Sequence, residues 1–454
     1  MLLKFAKILL NISLLSVAIV LTSAFFPFIG GKDYFFRFSV ELALIFFVLW
    51  WAFEASDHEV KARLKAVCKK PMFIAVTVFV VMFLLACLFA YDPHGAFWSN
   101  YERGEGGFEM LHYYVFFALL VTLFDKKEDW KLFFKSFLVA GVLMILYGVF
   151  ADLGWASNFI SQYQGAPPVG WVQKLVGGRF QGSLGNPAYV APYLIFSMFY
   201  ALYLWIVNKM KTKWLPWLIY GGLTLIFLFF FITSQTRGAF AGLAVAVFVF
   251  LVYIVMHSKK WRVPVFAVLA CLTILGAIGV HYSNSAFIQS LPGGRMLQLS
   301  FTDSSAQTRL WTWGSAWKGF EERPIFGWGP ENFSTVFDKY FDPRHFVPGA
   351  STETWFDRAH SIYFDYLSET GILGFLSYLG IFAVFYWEFF KKYYRRHEAS
   401  LTEKALVFVV PIAYLVQGAA IFDVLPIYIN VFTFFAFSYF IFYHHEPAVH
   451  GSHQ

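Results

Sequence analysis

Arg323-Pro-Ile-Phe-Gly-Trp-Gly-Pro-Glu-Asn-Phe333 and Arg358-Ala-His360 both lie in residues 282–360, the one long polar stretch of this chain. A very hydrophobic run follows His360 at once. The 454 residues are 59% hydrophobic, 22% aromatic and only 14% charged. Soluble domains average about 45–50% apolar and about 25% charged. With a mean hydropathy of +0.58, the chain reads as a polytopic membrane protein. Its net charge of +7 is therefore no signature of nucleic-acid binding, because the charges first have to be assigned to a side of the membrane.

Outward from the polar stretch, apolar runs long enough to span a bilayer, about 20 residues each, fall near 8–28, 34–53, 71–91, 110–124, 131–151, 187–208, 215–233, 238–257, 264–281, 361–390, 404–421 and 427–443. The fourth is short and the tenth long. The first follows Lys4 and Lys7 like a signal peptide but lacks a small-x-small cleavage site, so it reads as an uncleaved helix. Lys and Arg concentrate in alternate connections: Lys61 to Lys70, Lys126 to Lys131, Lys209 to Lys213, Lys259 to Arg262, and Lys391 to Lys404. Basic loops stay cytoplasmic, so twelve spans with both termini cytoplasmic satisfy every loop. The expected fold is an all-α polytopic membrane protein of about 12 transmembrane helices. One long extracytoplasmic loop lies between helices 9 and 10. The expected parts are 1–281, the loop domain 282–360, 361–443 and a tail 444–454.

Cys87 and Cys271 lie in apolar runs and Cys68 in a basic loop, which argues against a disulfide and against metal-ligand spacing. The tail histidines His444, His445, His450 and His453 read as a disordered end rather than a metal site. The cytoplasmic loops are short and lack the Gly-rich and Asp-x-Asp patterns that hold nucleotides. Four more promising stretches fall outside together: 92–109, 152–186, 234–237 and the long loop.

Three helix starts face outward among them. Gly177-Gly-Arg179-Phe-Gln-Gly-Ser-Leu-Gly-Asn186-Pro187 combines an N-cap asparagine with proline at the first helical position. A helix N-terminus favours an anion, and Arg179 adds planar donors suited to phosphate. The rival reading is an arginine anchored among lipid headgroups. Ser234-Gln-Thr-Arg237 repeats the arrangement, with an internal ion pair as the rival. His360 opens a third helix, where the dipole favours a neutral imidazole able to accept a proton; packing alone is the rival. Uninterrupted apolar sequence starts only at Ile372, about 18 Å of helix beyond His360, so this helix is expected to project above the membrane. Asp365 and Glu369 on that upper part read as structural partners for arginines, or as groups that orient the histidine. Arg103, among glycines in 92–109, resembles the Arg179 setting.

With Arg309-x-x-x-Trp313, the 324–333 motif and His360-Ser-x-Tyr…Glu369-Thr-Gly-Ile-Leu-Gly374, these residues resemble the O-antigen ligase / O-antigen polymerase superfamily over nearly the whole chain. The resemblance implies an inverting, metal-independent glycosyltransferase working on the periplasmic or external face of the bacterial inner membrane, with no cofactor. It implies an undecaprenyl-diphosphate-linked glycan as donor and a glycan or lipid A-core sugar as acceptor. Arg179 and Arg237 fall on the family's diphosphate-binding arginines and His360 on the histidine thought to activate the acceptor. Arg103, Arg309 and Arg358 are further possible substrate-binding residues. Ligase, polymerase and protein-glycosylating relatives stay open. A flippase for the same lipid-linked glycan is a rival from another class, although spans five to nine show almost none of the ionisable groups and none of the repeat symmetry expected of a transporter. A nonenzymatic adaptor leaves the convergence of three helix starts unexplained.

Overall fold

In a computed structural model of the chain, residues 1–24, 26–100, 104–154, 178–208, 214–291, 293–297, 304–346 and 354–444 are described. Their regular secondary structure is all helix, without a strand among the described residues. In chain order the helices are α1 (Leu2–Ser13), α2 (Gly30–Phe53), α3 (Asp57–Cys68), α4 (Pro71–Leu88), α5 (Pro93–Trp98), α6 (Gly107–Leu123), α7 (Lys127–Asp152), α8 (Pro187–Val207), α9 (Trp214–Thr233), α10 (Arg237–His257) and α11 (Arg262–His281). The stretch expected as a long loop holds α12 (Ala286–Ser290), α13 (Ser304–Glu322) and α14 (Phe333–Lys339), and is followed by α15 (Ile362–Glu388), α16 (Leu401–Gly418) and α17 (Leu425–Tyr443).

Ten of these helices are long and apolar enough to cross a membrane: α2, α4, α7 to α11, and α15 to α17. The chain is a multi-pass membrane protein, with ten such helices among the described residues where twelve spans were expected. The short fourth span is α6, of 17 residues. The first departs from expectation. Instead of spanning 8–28, α1 ends at Ser13, a 3-10 turn covers Leu14–Ala18, and Ile19 is extended. The chain then folds on itself, with Leu21 N–H donating to the Pro27 carbonyl at 3.0 Å. The buried Lys32 ammonium reaches back to the Ile19 carbonyl. The contact pairs a backbone carbonyl left without a helical partner where the helix breaks.

All 19 residues of α17 are buried. A helix apolar on every face belongs inside a bundle, and α17 is the axle here. Trp130 and Phe134 of α7 pack edge-on against its Phe437, with ring centroids at 5.3 and 5.0 Å. The Tyr200 hydroxyl of α8 donates to Asn430 Oδ1 at 3.0 Å. Between membrane helices, packing and such polar pairs replace the hydrophobic drive, each pair contributing about 0.6–2 kcal/mol. The helices α10 and α16 approach closely because Gly242 has no side chain: a Cβ there would stand 2.6 Å from the Ala413 carbonyl oxygen and 3.0 Å from Gln417 Cβ.

The expected long tenth span is two helices joined at Gly371, whose φ of 63° and ψ of −168° are not helical. The break falls next to Ile372, where the sequence turns wholly apolar. The 324–333 motif fills it. Trp328 N–H and Gly329 N–H donate to the carbonyls of Ser368 and Glu369 at 2.9 and 2.8 Å, and Ile372 N–H donates to the Pro324 carbonyl at 2.8 Å. The backbone groups that the break releases are thus paired again, as burial requires. A Cβ on Gly371 would overlap the Ile325 carbonyl, and its backbone region is essentially glycine-only. We expect Gly371→Ala to destabilise the protein by at least about 1–3 kcal/mol, read as a lower Tm in detergent. An unchanged Tm would show that the break is not locked by the motif.

Candidate functional site

Asn186 caps α8, its Oδ1 accepting from Ala188 N–H at 2.9 Å, with Pro187 at the first position, as the sequence predicts. Thr236 precedes α10, and its hydroxyl donates to the Pro187 carbonyl at 3.0 Å, which ties the two helix starts together. Arg179 bridges the same junction, donating to the Ser234 carbonyl at 3.3 Å and to Thr236 Oγ1 at 3.5 Å. Two helices of 21 residues each therefore bring their positive ends to one place, beside Arg179 and Arg237.

These ends open into a cavity of about 850 Å³. Arg179, Arg237, Arg309 and His360 all line it, together with Trp313, Gln417 and an apolar wall that includes Phe28, Ile29, Leu184, Tyr189, Ile421 and Phe422. Arg309 arrives on α13. One turn further on, Trp313 stacks on Phe364 of α15, with centroids at 5.1 Å and planes at 15°, and donates its indole N–H to the Ala359 carbonyl at 3.0 Å. Arg309 and Trp313, at i and i+4, share one face of α13: both line the cavity, and Trp313 also holds the helix against the start of α15.

His360 is not the helix cap. Ser361 takes that position, and α15 starts at Ile362. His360 itself adopts φ 56°, a left-handed conformation uncommon for a side-chain-bearing residue. Three bonds impose it. Ala359 N–H donates to Asp365 Oδ1 at 2.7 Å, Trp313 holds the Ala359 carbonyl, and Ile362 N–H donates to the Ile421 carbonyl at 3.0 Å. Backbone strain held in this way clusters at functional sites. The imidazole lies edge-on between Phe356 and Phe422, with centroids at 5.3 and 5.1 Å. Its Nδ1 is 3.1 Å from the Arg358 carbonyl oxygen. A carbonyl only accepts, so Nδ1 carries the hydrogen and the lone pair of the neutral ring lies on Nε2.

Arg358 has a different place from the one expected. Rather than lining the cavity it is 7% exposed, bonded to Glu105 at 3.1 Å, to Glu369 at 3.1 and 3.3 Å, and to Glu331. Burial opposes its charge, but the carboxylates of Glu331, Glu369 and Glu105 outweigh that and raise its pKa well above the ordinary arginine value. Glu369 Oε1 also accepts from Glu331 N–H at 3.2 Å, and Ser99 Oγ donates to Glu331 Oε2 at 2.9 Å. Arg358 is therefore the centre of a buried cage that fastens Ser99, Glu105 and the 324–333 motif to α15. Of the two acids expected to pair with arginines or to orient the histidine, Glu369 bonds Arg358 and Asp365 accepts from the backbone N–H of Ala359 next to His360. Arg103 lies outside the described residues.

Sequence reading missed two parts of the wall. The turn 26–29 was read as the end of a span. Gln417 to Phe422, at the end of α16, was read as span and short connection. The uncharged Gln417, among apolar residues, was the available signal. Next in the chain, Asp423 is buried and bonded to the Tyr414 hydroxyl; burial pushes its carboxyl up to about 7.

The fold and site define a multi-pass membrane protein with a half-apolar cavity whose polar side is built from arginines, two helix N-termini and a histidine. Residues 222–379, which hold Arg237, Arg309, Arg358 and His360, match the family described as O-Antigen ligase. An O-antigen ligase of Salmonella typhimurium strain LT2 is 31% identical over 144 residues, 32% of this chain and 32% of that protein. The chain thus matches about a third of that relative's length. Both findings bear out the resemblance to the O-antigen ligase superfamily drawn from the motifs.

Proposed function

We propose that this protein transfers a glycan from an undecaprenyl-diphosphate-linked donor to an acceptor hydroxyl on the outer face of the bacterial inner membrane. The convergence of Arg179, Arg237 and His360 on one cavity carries the reading. Arg179 and Arg237, with the positive ends of α8 and α10, hold the diphosphate and stabilise the charge that develops on it as the sugar bond breaks. Arg309 faces the same anion or the glycan beyond it. The apolar wall takes the first part of the polyprenyl chain. His360 Nε2 accepts the proton of the acceptor hydroxyl. Its oxygen attacks the anomeric carbon from the face opposite the leaving group, the carbon–oxygen bond to the diphosphate breaks, and undecaprenyl diphosphate departs with its electron pair. Configuration inverts, and the arginines supply the positive charge without a metal.

A polymerase adding one lipid-linked glycan to another needs the same groups, so the acceptor separates the two. In cells lacking this protein, long lipid-linked glycan should accumulate if it is a ligase and single repeat units if it is a polymerase. A flippase would leave no product in detergent, where there is only one compartment. For the site itself we expect Arg237→Ala to weaken binding of the donor by about 10- to 100-fold, the usual range for a lost charged hydrogen-bonding contact, and to leave the Tm near that of the wild type. Wild-type affinity in that variant would remove Arg237 from the diphosphate site.

A further inference from the structure

Within the cavity wall, Gln417 stands out. Its side chain is 1% exposed, and neither Oε1 nor Nε2 has a hydrogen-bond partner among the described residues. Buried polar groups are nearly always paired, and an unpaired amide is costly. Its Cβ and backbone nitrogen pack close against Gly242, lying 3.0 and 3.2 Å from where a Cβ on that glycine would stand. Resting on the reading of the cavity as a site for a lipid-diphosphate-linked glycan, we propose that Gln417 recognises the sugar joined to the diphosphate. A carboxamide both donates and accepts. A diphosphate at neutral pH only accepts, and the arginines already supply donors to it. Satisfying both ends of Gln417 takes a group that does both, a hydroxyl or an acetamido group of a sugar.

The placement fits. Residues 417–422 run from α10 to the histidine: Gln417 packs beside Gly242, five positions into the helix that Arg237 begins, and Phe422 touches the His360 ring. The reacting sugar has to lie between the diphosphate and the base, and this segment covers that interval. Gln417 is then a specificity-determining residue for the donor glycan, its carboxamide paired by the sugar that the donor brings.

The test compares Gln417→Leu and Gln417→Met with the wild type in detergent. Undecaprenyl diphosphate is the sugar-free probe and the glycosylated lipid is the substrate. We expect kcat/KM for the glycosylated donor to fall by about 10- to 100-fold, as expected when a site loses its hydrogen bonds to a substrate group. Affinity for undecaprenyl diphosphate should match the wild type, and Tm should hold or rise, because an unpaired buried amide has been removed. Wild-type turnover in both variants overturns the proposal. So does a parallel loss of affinity for undecaprenyl diphosphate, or a lowered Tm in both variants, since either makes Gln417 part of the diphosphate site or of the packing. If the wild type itself does not bind undecaprenyl diphosphate, the reading of the cavity fails, and that result is visible before any variant is made.

Discussion

His360→Ala is expected to lower the turnover of glycan transfer by about 10²- to 10⁴-fold, the usual contribution of a positioned general base, while donor affinity stays at the wild-type level. On the proposed reading the two parameters separate, because the diphosphate site is assigned to the starts of α8 and α10 and the base to the start of α15. The Nδ1 contact to the Arg358 carbonyl sets which nitrogen carries the lone pair, so His360→Asn, which keeps a polar group there but no basic nitrogen, should be as inactive as alanine. Single-turnover rates together with equilibrium binding of the donor check this. If binding and turnover fall by the same factor, His360 contributes to holding the donor and the base lies elsewhere. Positive φ at this residue has its own consequence: a β-branched replacement adds steric strain to the chemical loss.

Removing the guanidinium of Arg358 should have the largest effect on stability. Arg358→Ala leaves Glu105, Glu331 and Glu369 buried together without their cation. Breaking a buried ion pair on one side costs about 3–5 kcal/mol, enough to put the purified protein near unfolding at growth temperature. The expected readout is a sharp fall in Tm and in the yield of folded protein, with activity lost alongside. Adding Glu331→Gln and Glu369→Gln to Arg358→Ala should recover part of the Tm, because the uncompensated charges are then gone; interacting sites show this kind of non-additivity. A variant with normal Tm and only weaker substrate binding would return Arg358 to the substrate site, where sequence reading first put it.

That misplacement shows what sequence made legible. Apolar runs of membrane length mark ten helices directly, because length and composition are all that a crossing requires. Asn186-Pro187, Ser234 to Arg237 and His360 are found by local rules for helix starts, so three cavity residues could be picked out without a structure. Arg358 could not be sorted the same way. Whether an arginine faces a cavity or a carboxylate depends on partners such as Glu105, 253 positions away. The break at Gly371 was hinted at by the late start of the apolar run, but the motif that fills it lies some 40 residues upstream in a stretch that reads only as polar. Gln417 was hidden because a single glutamine near a helix end carries no periodic signal. The first span was misread because apolar composition does not reveal that the backbone turns at Ile19 to receive Lys32.

The fully enclosed α17 has a consequence for biogenesis. It is synthesised after every helix it packs against, including α7 and α8. If its neighbours assemble before it emerges, lipid tails or the insertion machinery fill its place, and the interior is completed when α17 displaces them. Substitutions that make α17 slow to insert would therefore show as poor maturation of an otherwise intact chain, rather than as a defect in the transfer step.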